Sequence, residues 1–184
     1  MCIRDRNCTF KGFKGQLHLK HCANILIEDC TFTNGSKIPD NNSFGIKIDH
    51  CRDIKVRNCT FTDHYQGIRI DNADNRCSDD LVIAGNRMIG VHRGIRCGNE
   101  APIRDSIITG NRIETGCFHN KRNPWTRDSS GLGNTYGMFI EGWQLEISNN
   151  IITGYQHPRT DETGLTWSQA GYGTCLLYTS DAAD

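Results

Sequence analysis

The phrase Asn58-Cys59-Thr60-Phe61 has two upstream echoes, Asp29-Cys30-Thr31-Phe32 and Asn7-Cys8-Thr9-Phe10. It continues downstream in weaker form as Asn86-Arg87-Met88, Asn111-Arg112-Ile113 and Asn150-Ile151-Ile152. Successive steps are 22 (Cys8 to Cys30), 29 (Cys30 to Cys59), 27 (Cys59 to Asn86), 25 (Asn86 to Asn111) and 39 (Asn111 to Asn150) residues. A unit this short cannot bury an apolar face alone, so neighbouring units must stack into one continuous core.

Inside each repeat, apolar residues alternate with polar ones. One segment reads Gly-Ile-x-Ile: Gly45-Ile46-Lys47-Ile48, Gly67-Ile68-Arg69-Ile70, Gly94-Ile95-Arg96-Cys97 and Gly137-Met138-Phe139-Ile140. A second carries apolar pairs two apart just before the Asn/Cys position: Ile25 with Ile27, Ile54 with Val56, Leu81 with Ile83, and Leu145 with Ile147. A third follows that position and should hold Phe32, Phe61, Met88 or Ile113 inside. Period-two alternation bounded by Gly, Asn and Asp predicts strands rather than helices. Three short strands per repeat predict an all-β chain, a parallel β-helix.

These motifs (N-C-T-F, G-I-x-I and x-V-x-I-x-x-N) resemble the right-handed parallel β-helix repeats of the pectin-lyase-like superfamily. The resemblance covers nearly all of residues 6–154 and implies a solenoid of about five to six coils, truncated. The right-handed crossover preference of parallel strands implies the same hand. Residues 1–5 and 175–184 carry no repeat and resemble the adapter read-through found at the ends of metagenomic reading frames. The expected domain is therefore 6–174, incomplete at both ends.

Formal net charge is zero, so no global field steers the chain onto nucleic acid or an anionic membrane. No apolar run approaches the length of a membrane-spanning helix. Of ten cysteines, Cys2 and Cys175 lie in the terminal segments, leaving eight. Cys8, Cys30 and Cys59 share one register and Cys22 and Cys51 another. Stacked coils put equivalent residues about 4.8 Å apart, a spacing that a disulfide tolerates. Because Asn86, Asn111 and Asn150 replace cysteine later in the column, a ladder of buried free thiols is the preferred reading.

With the isoleucines of Gly-Ile-x-Ile facing in, the x residues build an outward column of Lys47, Arg69 and Arg96, between His18 and Phe139. Two residues on runs a second column: Lys20, Asp49, Asp71 and Glu141. Cations stacked this closely repel unless carboxylates or an anionic ligand neutralise them. A lattice pairing Lys47 with Asp49 and Arg69 with Asp71 is the bland alternative. The sharper one is a track for a polyuronate, since Arg grips a carboxylate through two hydrogen bonds. In the turn before this strand, Tyr65 should stack beneath His92 and Gln66 beneath Arg93, with His64 as an alternative base.

A Tyr/His pair beside Arg69 and Arg96 is similar to the acid/base set of polyuronate lyases and C5-epimerases. That resemblance implies Arg69, Arg96, His92 and Tyr65 as catalytic residues, and Lys47, Arg93 and Trp125 as substrate-binding ones. Trp125 would stack on a sugar ring from the loop between Thr115 and Tyr136. Asp49, Asp71 and Glu141 supply the hard oxygen ligands that Ca²⁺ prefers. The implied partner is an acidic polysaccharide, met in secretion or at a cell or virion surface. A polysaccharide-binding shaft of tailspike or adhesin type is the non-catalytic alternative, and a tailspike would imply a homotrimer. Asp79-Asp80 and the stretch from Gly90 to Arg96 faintly resemble polygalacturonases. However, Gly-His-Gly, Asn-Thr-Asp and Arg-Ile-Lys are missing, and Asp79-Asp80 read instead as a turn before Leu81.

Overall fold

A computed structural model describes residues 3–35, 43–72, 77–97, 102–115, 136–154, 159–160, 166–167 and 172–179. Its strands follow the three segments of the repeat. The first face stacks Gly15–Lys20, Phe44–Asp49, Gln66–Asp71, Arg93–Cys97 and the start of Tyr136–Ser148, all parallel. The second stacks Ile3–Arg6, Ala23–Glu28, Arg52–Arg57, Ser78–Ala84, Ile103–Thr109 and the end of Tyr136–Ser148. The third runs through Thr9–Lys11, Thr31–Thr33, Thr60–Thr62, Arg87–Val91, Arg112–Thr115 and Ile151–Gly154. Because the 13-residue strand Tyr136–Ser148 belongs to two faces, it joins them into one 11-stranded sheet. Tyr172–Thr179 adds a further parallel neighbour to it.

Sequence chemistry explains the corners. Asn7, Asp29, Asn58, Gly85, Gly110 and Asn149 each precede the repeat's Cys/Asn position, with φ between 52° and 64°. Only Gly, Asn and Asp take this left-handed conformation cheaply, and the repeat supplies one of them at every such corner. The next residue then points inward and ties coil to coil. Asn86 Nδ2 donates to Asn111 Oδ1 at 2.9 Å, and Asn111 Nδ2 donates to Asn150 Oδ1 at 2.9 Å. The same amides donate to strand carbonyls of Val56 and Ile83.

Lower in that column the expected thiol ladder stands. Cys8, Cys30 and Cys59 are free, and each Sγ donates to the carbonyl two residues before it. Cys117 lies outside the described residues.

The core is a single apolar column. Ile27, Phe32, Ile46, Ile54, Phe61, Ile68, Ile83, Met88, Ile95 and Ile113 are fully buried. Burial of each such side chain contributes about 1.5–3 kcal/mol. Phe10, Phe32 and Phe61 stack with centroids 4.7 and 4.8 Å apart, the repeat distance of the coils.

One departure from simple alternation shapes the outer surface. A Cβ on Gly94 would lie 2.6 Å from core Ile113 Cγ2, and one on Gly45 would lie 2.7 Å from core Phe61. Glycine and the isoleucine after it therefore both face in. Consequently Phe44 and Lys47, Gln66 and Arg69, Arg93 and Arg96, and Tyr136 and Phe139 are consecutive outward positions.

Candidate functional site

The ridge forms in the expected register: His18, Lys47, Arg69, Arg96 and Phe139 are Cα partners from coil to coil. Its neutralisation differs from the expected lattice. Asp71 takes both Arg69, by hydrogen bond, and Lys47, whose Nζ lies 3.2 Å from Oδ2. Lys47 reaches diagonally up one coil, because its own strand partner Asp49 is engaged elsewhere. Asp49 Oδ1 lies 2.6 Å from His50 Nδ1, at an angle too bent for a hydrogen bond, and Oδ2 lies 3.6 Å from His18 Nε2. Burial and the Lys47 ammonium hold His18 below the ordinary imidazole value, against the pull of Asp49.

Arg93 and Arg96 differ from those two cations. Among the described residues neither guanidinium has a hydrogen-bonding or carboxylate partner, and Arg93 Nε is buried and unmatched. Of the four cations Lys47, Arg69, Arg93 and Arg96, the first two are thus paired with Asp71, whereas Arg93 and Arg96 have no ion pair among the described residues, Glu141 standing two residues beyond Phe139, the strand partner of Arg96.

The turn before that strand assembles an aromatic cluster. Tyr65 and His92 stack with centroids 5.1 Å apart, and both are nearly buried. The Arg93 guanidinium lies 4.8 Å from the Tyr65 ring centroid and 5.4 Å from that of Tyr136. Tyr136 escaped the sequence reading, since its column reads Phe44, Gln66, Arg93, Tyr136 and repeats no residue type. Its signal was the position just before Gly137, in register with Arg93. Burial pushes the Tyr136 phenol up, although Arg93, Arg96 and Arg69 pull it down. Gln66, beneath Arg93, is fully buried with both side-chain polar atoms unmatched. His64 packs edge-on against Phe61 and shares a 3.0 Å hydrogen bond with Gln16 Oε1, away from the ridge.

The remaining candidates are scattered. Glu141 lies two coils above Asp71, roughly 10 Å along the column, with residue 98 of the intervening coil outside the described residues. Among the described residues no group of three His, Cys, Asp or Glu side chains is placed to hold a metal ion. Trp125 falls outside the described residues. Asp79 and Asp80, expected in a turn, instead lie within the strand Ser78–Ala84, where Asp80 has φ 54° and pairs with Arg52 at 3.2 Å.

A family model described as the right handed beta helix region matches residues 2–130. The chain belongs to this family. No curated protein and no solved structure matches it. In this right-handed β-helix, the parallel register turns the four-residue Gly-Ile-x-Ile motif into a surface ridge. The expected pectin-lyase-like architecture is consistent with both the family and the topology.

Proposed function

We propose that this β-helix acts on an acidic polysaccharide, abstracting the proton at C5 of a uronate residue as a lyase or C5-epimerase does. The supporting observation is the ridge itself, with three stacked cations, Lys47, Arg69 and Arg96, and Arg93 in the adjoining column, beside the stacked Tyr65–His92 pair. A polyuronate carries a carboxylate on every sugar, so its charge complements the ridge.

The chemistry follows from that placement. As the C5–H bond breaks, its electron pair moves toward the attached carboxylate, and the guanidiniums stabilise the charge developing there. His92 accepts the proton. In elimination the pair then forms the C4=C5 double bond, the C4–O bond breaks, and the departing oxygen takes a proton from Tyr65. In epimerisation C5 regains a proton on its opposite face.

The test is incubation with polygalacturonate, polymannuronate and polyglucuronate in D₂O. The reading expects either ultraviolet absorbance from unsaturated ends or deuterium at C5. Both signals should fall at least ~100-fold in His92→Gln and Arg96→Ala, with the circular dichroism spectrum retained. A wild-type protein giving neither signal on all three polymers overturns the catalytic reading. Retained binding would then favour the non-catalytic shaft, in which case pairing of Lys47 and Arg69 with Asp71 is scaffold.

A further inference from the structure

We propose that the ridge is divided: Arg93 and Arg96, braced by Tyr65 and Tyr136, seat a single uronate carboxylate, whereas Lys47 and Arg69 with Asp71 form its scaffold. The assignment rests on the polyuronate reading and names the residues within that site that receive the anion.

Three observations carry it. First, Gly94 and Ile95 both face the core, so Arg93 and Arg96 leave the same strand as successive outward side chains. Second, their charge is uncommitted among the described residues, while Lys47 and Arg69 share Asp71. A carboxylate arriving at Lys47 or Arg69 competes with Asp71; one arriving at Arg93 and Arg96 displaces no ion pair among the described residues. Third, the seat is built in advance. Tyr65 and Tyr136 hold the Arg93 guanidinium from two neighbouring coils by cation–π contact. That clamp removes rotamer freedom which an unbraced arginine would lose on binding.

The surroundings match the rest of a sugar acid. Tyr136 keeps its phenolic proton, since burial outweighs the pull of the nearby arginines, and so presents a donor. Gln66, fully buried in the coil below Arg93, holds two donors and an acceptor without partners. That amide lies beneath the seat rather than at its surface.

The test titrates D-glucuronate, with D-glucose as the neutral control, into the intact protein while following arginine Nε–H resonances by NMR. Glucuronate should move the Arg93 and Arg96 signals, leave Arg69 in place, and glucose should move none. Arg93→Ala should weaken glucuronate binding at least ~10-fold, as loss of one charge-assisted bond implies. Arg93→Lys should recover only part, because an ammonium lacks the planar fork. Arg112→Ala, on the third face, should bind as wild type does. If glucuronate shifts Arg69 instead, or shifts no arginine, the seat is wrong whatever the turnover results. Should the two arginines respond while all three polymers give neither unsaturated ends nor C5 deuterium, the seat stands and the proton-abstraction reading falls.

Discussion

His64 is fully buried against Phe61, with its Nε2 3.0 Å from Gln16 Oε1, and burial pulls its imidazole down to about 4. In the unfolded chain it titrates near 6.5, so between those values the unfolded state binds more protons. Stability is therefore fully present above pH 6.5 and is lost as pH falls toward 4. The shift corresponds to at most roughly 3 kcal/mol. Urea unfolding between pH 4 and pH 7 should show this slope, and His64→Gln should remove about one proton's worth of it. Equal slopes in the two proteins would place the imidazole in water. Adjacent His64 and Tyr65 thus have different surroundings, one packed on core Phe61 and one stacked on His92 in the turn beside the ridge. Nothing in Asp63-His64-Tyr65 distinguishes them, because the distinction comes from Gly35 and Gln16 on earlier coils.

The strand Arg93–Cys97 shows what alternation reveals and what it hides. Apolar positions two apart identified Ile95 and Cys97 as inward and Arg96 as outward, and all three coils of the Lys47–Arg69–Arg96 register followed from that count. Glycine has no side chain to betray its direction, so the doubled inward step at Gly94 was invisible, and Tyr136 with it. The diagonal from Lys47 to Asp71 was equally hidden, since it depends on His50 and His18 occupying Asp49.

Glycine propensity alone would rank Gly110, at φ 64°, as harder to replace than Gly94. Packing reverses the order. A Cβ at Gly94 would meet the Gly137 carbonyl oxygen at 2.3 Å, whereas one at Gly110 finds nothing nearer than 3.8 Å. Gly94→Ala should cost about 1–3 kcal/mol or more, and Gly110→Ala about 1 kcal/mol. Denaturant midpoints in the opposite order would mean that the strand relaxes around the methyl group.

Across the whole molecule, cohesion comes from columns of like residues, which is why repeat spacing alone was enough to read the architecture. The insertions that lengthen some repeats, including the one with Trp125, carry no repeating sequence position, and spacing says nothing of their shape. Burial pushes the Cys59 and Cys97 thiols up to about 12. Thiols this protonated are poor nucleophiles. Alkylation of the native protein, read by peptide mass spectrometry, should therefore label Cys22 well before Cys59 or Cys97, which should react only on unfolding. Cys59 labelled as fast as Cys22 would contradict a packed interior at that corner.

The corner column also changes material part-way, from sulfur at Cys8, Cys30 and Cys59 to amide at Asn86, Asn111 and Asn150. Amides clasp the coil on either side of them through bonds of 2.9–3.0 Å, while Cys30 and Cys59 reach the coil below only by longer sulfur contacts of 3.6 and 3.7 Å. The weaker side-chain lacing of the solenoid then falls in its sulfur-lined turns. Arg93 and Arg96 belong to the amide-laced portion, so the groups that would grip an anion ride on the coils with the shorter cross-links.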